Sequence, residues 1–382
     1  MARPLIGVAR LDILARALVA GAALSVSVAG AAPAAEAAVS PGGWDTAQQR
    51  QVLAAGLLEG TPASFDGASR LTAAQANGAM AGLATRLSRG TAEQSRPGEA
   101  VAPGVPGVPG EPASASQLPA GPPAVPIAHT DRSPVTVSTF DRMLVEELGL
   151  SSSAAQVQAR AAAAGLRPPA YFGTEVVARL LELRFEHPVG SQRLDLFPGQ
   201  AITRAEAAWS LATVIGLSPW SLSSARETLA SFELPAMDGA QRQALQIAVS
   251  RIGYPYVWGG TTDDTSDGLE HGGFDCSGFA WRVFKVSGLP WGNRIRGRTA
   301  AEQAGEIPRG QRLRIGQLQP GDLLFFGSAH FNSRPTESNV IHEGIYLGDN
   351  WVIHSSGQGV YVLPLTGSWL GSSFAWGRRV IG

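Results

Sequence analysis

The spacing of apolar residues divides the chain into a helical first part and a C-terminal part that ends in short strands. Residues 71–75 begin a helix that Thr72 is placed to cap. Similar short motifs, called phrases below, recur at 135–139 and 202–206. In the third phrase Thr203 and Glu206 have the spacing of a capping box. Phrases that return in this way predict helical units that stack to bury their apolar faces.

From Asp238 onward the pattern changes. Residues 241–252 have the apolar spacing of an amphipathic helix, and a second helix begins at Cys276. Short apolar runs bounded by turn-forming residues follow at 323–326, 340–347, 351–354 and 359–363. Helices first and an antiparallel meander afterwards predict an α+β fold for residues 238–382.

Composition sets the remaining boundaries. Residues 1–37 contain a basic stretch, an apolar run too short to span a bilayer comfortably, and small residues at 35–37, in the order of a secretory signal peptide. Residues 91–133 are rich in proline, glycine, alanine and serine, and we predict a flexible linker because such a composition buries little apolar surface. The expected order is therefore signal peptide 1–37, helical region 41–90, linker 91–133, helical region 134–235 and α+β domain 238–382. The mature protein is expected to be secreted, with no membrane span.

The charge balance adds one exclusion. Lysine and arginine total 30 against 31 aspartate and glutamate residues, which gives a formal net charge of −1. No basic run or basic patch interleaved with aromatic residues occurs. The sequence therefore gives no support for a nucleic-acid partner.

The single cysteine, Cys276, is the first candidate for chemistry. It has no partner for an intramolecular disulfide, and a lone thiol in an exported protein needs another reason to be present. Asp275 is placed to cap the helix that Cys276 opens, and a helix N-terminus favours the thiolate. We therefore predict a reactive thiol with a depressed pKa; the alternative is a small buried residue that happens to contain sulfur.

His342 and His354 lie in successive predicted strands. A hairpin that joins these strands brings the two side chains close, and alternation lets both face the same side of the sheet. A thiol nucleophile needs an imidazole to take its proton, and the imidazole needs a polar partner that fixes its orientation. His271, which is close to Cys276 in sequence, is an alternative base.

Four separated motifs in the C-terminal part resemble, in their order, the NlpC/P60 family of cell-wall cysteine peptidases. They are Tyr-Val-Trp-Gly-Gly at 256–260, Asp-Cys-Ser-Gly-Phe at 275–279, Pro-Gly-Asp-Leu-Leu-Phe-Phe at 320–326 and His-Glu-Gly-Ile-Tyr-Leu-Gly at 342–348. The resemblance implies a papain-like α+β fold with Cys276 as nucleophile, His342 as general base and His354 as the polar residue that orients the base.

The same resemblance implies a substrate and the residues that contact it. The family hydrolyses amide bonds in peptidoglycan stem peptides, typically between D-glutamate and the diamino acid. Tyr256, Asp275 and Ser277 match positions that line the family's cleft and are expected to contact substrate. The backbone N–H of Cys276, at the helix start, is the expected oxyanion donor. No cofactor is expected.

Two features depart from that family's pattern. Glu343 follows the expected base where the family usually has a small apolar residue, and if it points into the sheet it needs a partner, for which Arg378 and Arg379 are the candidates. Residues 261–272 form a long acidic link that is placed to make a lip over the cleft. A calcium site there is a second interpretation, but regular spacing of oxygen ligands is missing, so no metal site is predicted.

The helical part resembles the S-layer homology repeat, through the three recurring phrases and the Phe-Pro-Gly-Gln at 197–200 before the third. That family uses helical hairpins to hold cell-wall polymers non-covalently. Only the third phrase keeps Thr-Arg-Ala-Glu, at 203–206, so the resemblance implies a cell-wall polysaccharide partner chiefly through Arg204. The alternative is a helical spacer with ordinary caps.

Together these features predict a secreted, cell-wall-associated cysteine endopeptidase that acts on peptidoglycan stem peptides. One alternative is a wall-binding protein whose peptidase-like domain is inactive. Another is an amidase or a transferase with the same site, because hydrolysis and transfer share an acyl-enzyme step.

Overall fold

The structure is a computed structural model, which describes residues 44–94, 131–185 and 187–382. The predicted signal peptide and most of the predicted linker lie outside the described residues. The helices are α1 Thr46–Ala54, α2 Ala73–Gln94, α3 Val137–Glu147, α4 Ser151–Ala163, α5 Phe172–Leu180, α6 Arg204–Gly216, α7 Pro219–Ala230, α8 Gly239–Val249, α9 Cys276–Trp281, α10 Ala300–Gly305 and α11 Trp369–Ser373. The strands are β1 Thr261–Thr262, β2 Gly273–Phe274, β3 Leu323–Phe326, β4 His342–Gly348, β5 Trp351–Ser356, β6 Gly359–Pro364 and β7 Phe374–Arg378.

The three recurring phrases of the helical region meet at one point. The Leu71 N–H donates to the Ile202 carbonyl at 2.9 Å, the Val135 N–H to the Leu71 carbonyl at 3.0 Å, and the Ile202 N–H to the Val135 carbonyl at 2.9 Å. The next residue in each phrase is a threonine that accepts a hydrogen bond from the helix it precedes: Thr72, Thr136 and Thr203. The closed cycle confirms that the recurring phrases belong to helical units that pack together; their identity as S-layer homology repeats stays a prediction.

Only part of the expected capping box at the third phrase forms. Thr203 accepts from the Glu206 N–H at 3.2 Å, but the Glu206 carboxylate lies 3.6 Å from the buried His187 ring and does not reach back to the cap. The reciprocal pair of bonds forms in the first phrase, where Thr72 and Gln75 exchange hydrogen bonds of 3.0 and 3.2 Å. The tertiary contact with His187 takes the Glu206 side chain away from the helix start.

Two ion pairs are buried inside the helical region. Arg184 pairs with Asp141, and Arg179 lies 3.2 Å from Glu175; each of these side chains is at most 5% exposed. Arg179 also donates to the Gly253 carbonyl at 3.3 Å. The second pair therefore connects the helical region to the segment that leads into the C-terminal domain.

The C-terminal domain is built on an antiparallel sheet with the strand order β6-β5-β4-β3-β7. Helix α9 packs against β4 and β5, and it continues into a π-helical turn at Arg282–Val286. Phe279 and Ile353 belong to a buried core that also includes Phe232 of the helical region, whose ring lies 4.9 Å from that of Trp351. The papain-like α+β fold with a preceding helical region is confirmed.

Several element boundaries differ from the sequence-based expectations. Helix α5 ends at Leu180, and Glu182 beyond it has a positive φ of 57° that breaks the helical backbone. Helix α2 runs past the expected linker boundary to Gln94. Strand β7 and the small β1–β2 hairpin were not predicted, since neither has a clear apolar alternation of its own.

The buried pair Arg184–Asp141 generates a stability prediction. Replacing Arg184 with methionine leaves the Asp141 carboxylate buried without its cation, and we expect a loss of about 3–5 kcal/mol in the free energy of unfolding. The matched control is Arg142→Met, which breaks a pair with Glu146 whose side chains are 60% and 66% exposed. Exposed pairs contribute about 0–1 kcal/mol, so the control should unfold close to wild type in a urea titration. Equal losses in the two variants would contradict the assignment.

Candidate active site

Helix α9 places Cys276 by packing directly on a glycine turn. Asp275 caps the helix and accepts from the Gly278 N–H at 2.5 Å. A Cβ added at Gly278 would lie 1.9 Å from the Gly260 carbonyl oxygen, so no larger residue fits at this contact. The Gly-Gly turn at 259–260 and the Asp-Cys-Ser-Gly motif are therefore two halves of one packing contact.

Arg298 holds the start of α9 in place. Its guanidinium donates to both oxygens of Asp275, at 3.0 and 2.9 Å, and to the Ser277 hydroxyl at 2.9 Å. Asp275 also accepts from the Ser277 hydroxyl at 3.2 Å and the Gly259 N–H at 3.0 Å. The sequence analysis missed Arg298, because three alternating arginines at 294, 296 and 298 give no signal that singles out one of them.

His342 and His354 meet as the hairpin prediction required. Nε2 of His342 and Nδ1 of His354 are 3.0 Å apart, and the two rings are nearly perpendicular at 86°. Gly344 lies on the same face of β4 as His342, and a Cβ there would lie 3.0 Å from the His354 Cβ. The glycine in the His-x-Gly motif thus lets β5 approach closely enough for the two imidazoles to touch.

The thiol lies beside this pair. The Cys276 sulfur is within hydrogen-bonding reach of the backbone N–H groups of Ser277 and Glu343, and Glu343 is the residue after His342. Since Nε2 of His342 is engaged by His354, Nδ1 is the ring nitrogen that remains for the thiol. The structure brings Cys276, His342 and His354 together in one place.

The predicted depression of the thiol pKa is wrong for this structure. Burial raises the pKa of Cys276 above its usual value, and the nearby carboxyl groups of Asp275 and Glu343 raise it further. The two backbone N–H groups that favour the thiolate do not outweigh these effects. Helix α9 has only six residues, which limits the dipole on which the prediction relied.

The two histidines are also held neutral. His342 is 8% exposed and His354 is fully buried. Burial lowers the pKa of His342 to about 3, and burial together with the neighbouring His342 lowers the pKa of His354 well below its usual value. Thiol and imidazoles are therefore all uncharged in the resting site at neutral pH.

Glu343 is buried under the site without the expected partner. It is 0% exposed, and neither carboxyl oxygen has a hydrogen-bond partner among the described residues. Arg378 instead pairs with Glu306 at 2.6 Å, and Arg379 pairs with Asp322 at 2.9 Å. The expectation that either arginine pairs with Glu343 is wrong. Burial raises the pKa of Glu343 well above its usual value, which favours the neutral carboxylic acid.

The residues expected to contact substrate occupy different settings. Ser277 is 4% exposed, and both it and Asp275 are engaged with Arg298, so their observed contacts brace the helix start. Tyr256 is half-buried and forms an isolated bridge with Phe274, immediately before the capping residue. The roles of all three toward substrate stay predictions.

His271 lies outside the histidine pair. Its Nδ1 is 2.7 Å from the Gly272 carbonyl oxygen, and its ring stacks on Phe197 of the helical region at 5.4 Å. In the acidic link, Asp263 pairs with Arg251 at 3.0 Å and with Arg282 at 2.5 Å. Across residues 44–94, 131–185 and 187–382, no group of three or more His, Cys, Asp or Glu side chains is placed to hold a metal ion. The same residues include no helix that is long and apolar enough to cross a membrane.

Comparison with known proteins identifies the C-terminal domain. Residues 253–379 match the NlpC/P60 family. The chain is 33% identical over 140 residues to a probable endopeptidase of Mycobacterium tuberculosis, an alignment that covers 36% of this chain and 30% of that relative. It is 30% identical over 132 residues to a gamma-D-glutamyl-L-lysine dipeptidyl-peptidase of Bacillus subtilis, covering 34% and 37%. It is likewise 30% identical over 132 residues to a bifunctional muramidase/DL-endopeptidase of the same organism, covering 34% of each chain. The chain thus spans about a third of the length of these relatives.

The unpartnered Glu343 predicts a stability difference that depends on pH. A carboxyl group whose pKa is raised by folding binds more protons in the folded state, so its contribution to stability falls as pH rises above the unfolded pKa near 4.5. Glu343→Gln removes this titration. We expect the variant to match wild type below about pH 4.5 and to gain stability over wild type as pH rises, by at most about 1.4 kcal/mol per pH unit. Urea unfolding at a series of pH values measures the gain in stability. The control Glu337→Gln, at an exposed loop position, should show no such gain. A stability difference between Glu343→Gln and wild type that is the same at all pH values would contradict a raised pKa.

The raised thiol pKa predicts slow alkylation of the resting protein. At pH 7 we expect iodoacetamide to react with Cys276 more slowly than with free cysteine, and the rate to climb with increasing pH, because the thiolate is the reacting form. Mass spectrometry of quenched samples measures the rate directly, since the chain has no other cysteine. Faster reaction than free cysteine at pH 7 would show that a thiolate–imidazolium pair is already formed.

Proposed function

Because residues 253–379 form an NlpC/P60 family domain with endopeptidase relatives, we propose that the protein is a cysteine endopeptidase that hydrolyses amide bonds in peptidoglycan stem peptides. The observation that carries the proposal is the 3.0 Å contact between His342 and His354, beside which the Cys276 sulfur lies within reach of the backbone N–H of Glu343. In the proposal Cys276, His342 and His354 serve as the nucleophile, the base and the residue that orients the base.

In this mechanism His354 fixes the tautomer of His342. We assign the proton of this contact to Nε2 of His342, which then donates to Nδ1 of His354 and leaves Nδ1 of His342 unprotonated and free to accept the thiol proton. The sulfur attacks the carbonyl carbon of the scissile amide as His342 takes that proton. Since both groups are neutral at rest, proton transfer accompanies the attack rather than preceding it.

The remaining steps return the site to its starting state. The carbonyl oxygen becomes an oxyanion, for which the backbone N–H of Cys276 is the proposed donor. The C–N bond breaks and the leaving amine takes the proton from Nδ1 of His342, which leaves a thioester on Cys276. His342 then deprotonates a water molecule, which attacks the thioester, and the proton returns to the sulfur as the acid product leaves.

The bond that we propose as substrate joins D-glutamate to the diamino acid of the stem peptide. This rests on the relative named as a gamma-D-glutamyl-L-lysine peptidase, to which the C-terminal domain is 30% identical. Residues 1–37 have the composition of a signal peptide, which supports export to the compartment where this substrate is found.

Attachment to cell-wall polysaccharide through the helical region is the second part of the proposal. Three similarly capped helical units that meet in a cycle of hydrogen bonds support it, because a repeated unit offers repeated binding grooves. Arg204, the residue expected to contact the polymer, donates to the Glu59 carbonyl at 2.5 Å and lies 4.5 Å above the Phe65 ring. Its guanidinium therefore also contributes to holding the first and third units together.

Purified muropeptides provide the test of activity. We expect wild-type protein to release peptide fragments whose masses identify the bond cleaved, and Cys276→Ala and His342→Gln to lose turnover by about three orders of magnitude or more. His271→Gln is the matched control, since His271 lies outside the pair and should retain turnover within a few-fold.

Full activity in Cys276→Ala would eliminate the thiol mechanism, and equal losses in the two histidine variants would reopen the choice of base. Products extended by a second peptide or an added amine, instead of free acids, would indicate transfer in place of hydrolysis.

A further inference from the structure

Trp369 is the outermost of the rings that surround the histidine pair. Its ring centroid lies 5.2 Å from that of His342 and 5.9 Å from that of His354. Trp369 is 45% exposed, whereas His342 is 8% exposed and His354 is fully buried. One half of the indole thus faces solvent while the other half covers both imidazoles.

The chain fixes this tryptophan by its backbone. Helix α11 begins at Trp369, and the Ser368 hydroxyl caps it by accepting from the Leu370 N–H at 3.3 Å while donating to the Pro364 carbonyl at 2.6 Å. Leu370 is fully buried in a small apolar cluster with Phe326 and Val352, and the Ser373 hydroxyl donates to the Trp369 carbonyl at 2.9 Å. A half-exposed ring is therefore attached to an anchored turn, which suits a fixed cover better than a mobile one.

Phe326 also borders the histidine pair, with its ring centroid 5.8 Å from that of His342 and 6.3 Å from that of Trp369. Nε2 of His354 is buried and has no hydrogen-bond partner among the residues that the structure describes. The rings beside His354, apart from His342, are Tyr361 at 4.3 Å and Trp369 at 5.9 Å, the latter at an interplanar angle of 72°. Aromatic contacts of this kind orient a ring by shape and weak N–H···π attraction.

We propose that Trp369 is a positioning residue for the reaction, which keeps water away from the His342–His354 pair and holds the two rings in the arrangement that directs Nδ1 of His342 to the thiol. The inference rests on the proposed thiol mechanism. It assigns no contact between Trp369 and substrate, so its effect should appear in the chemical step and in the titration of the pair.

The groups that lie near the histidine pair determine how the pH dependence of the reaction should respond to a change at Trp369. The titratable groups that surround it are Cys276 on α9, Tyr361 on β6 and, on β4 itself, Glu343. Burial accounts for the lowered pKa of His342, and no charged side chain contributes to it. Removing the indole admits water, which stabilises the imidazolium, so the pKa of His342 must rise toward its usual value.

The experiment compares Trp369→Ala with Trp369→Phe and Trp220→Ala in the full chain. Trp220 is 43% exposed on α7 in the helical region and serves as the matched control. For Trp369→Ala we expect kcat on muropeptides to fall roughly tenfold or more with KM nearly unchanged, and the acidic limb of the kcat/KM profile to move to higher pH. Trp369→Phe should restore both to near wild type, and Trp220→Ala should change neither.

A rise in KM alone, with the acidic limb unmoved, would overturn the proposal and make Trp369 a substrate contact. If Trp369→Ala is too slow to assay, NMR titration of the imidazole resonances of His342 and His354 replaces the rate profile, with the thermal melting curve as the check on folding. A pKa of His342 that does not rise in the folded variant also overturns it. Full turnover in Cys276→Ala would instead contradict the mechanism itself, so the two failures are distinguishable.

Discussion

The packing of α9 on the Gly259–Gly260 turn and against β4 is the contact on which the site depends. Gly278 lies so close to the Gly260 carbonyl that a single methyl group would separate the helix from the turn. The same helix start carries the Cys276 sulfur to the backbone N–H of Glu343, the residue after His342. A second close contact, at Gly344, brings His354 to His342. Close contacts at these glycines thus assemble the site, and they set the positions of its functional side chains.

The polar side chains of the site fall into two groups: one is paired with an opposite charge, and in the other burial disfavours the ionised form. Asp275 is paired with Arg298, while burial disfavours the ionised forms of Cys276, His342, His354 and Glu343. A thiolate formed early would lie near the Asp275 carboxylate, so a site of this kind favours transferring the proton together with attack. An imidazole pair that is kept from water needs a side chain between it and solvent, and Trp369 lies at that position.

The helical region packs directly against the C-terminal domain. The Gln192 side-chain oxygen accepts from the Trp258 N–H at 3.2 Å, and the Phe197 ring lies 5.0 Å from that of Tyr254. These contacts fall on residues 254–258, the segment that carries Tyr256 and leads into the turn under α9. The helical region therefore contacts the segment that leads into the turn under Cys276. The sequence offered no sign of this, because the contacts join residues about 60 or more positions apart whose individual patterns suggest only ordinary loops.

The sequence by itself determined the order of elements, the cysteine, the histidine pair and the cap at Asp275, because these depend on local spacing: helical period, strand alternation and a capping residue next to a helix start. The tertiary structure alone decided the charge states and the partners. Whether a helix start lowers a thiol pKa depends on how much water surrounds it, and burial reversed that expectation at Cys276. Arg378 and Arg379 found Glu306 and Asp322 in place of Glu343, and Arg298 was selected from three similar arginines by the position of Asp275. Desolvation and long-range pairing are properties of the packed chain, and no local pattern encodes them.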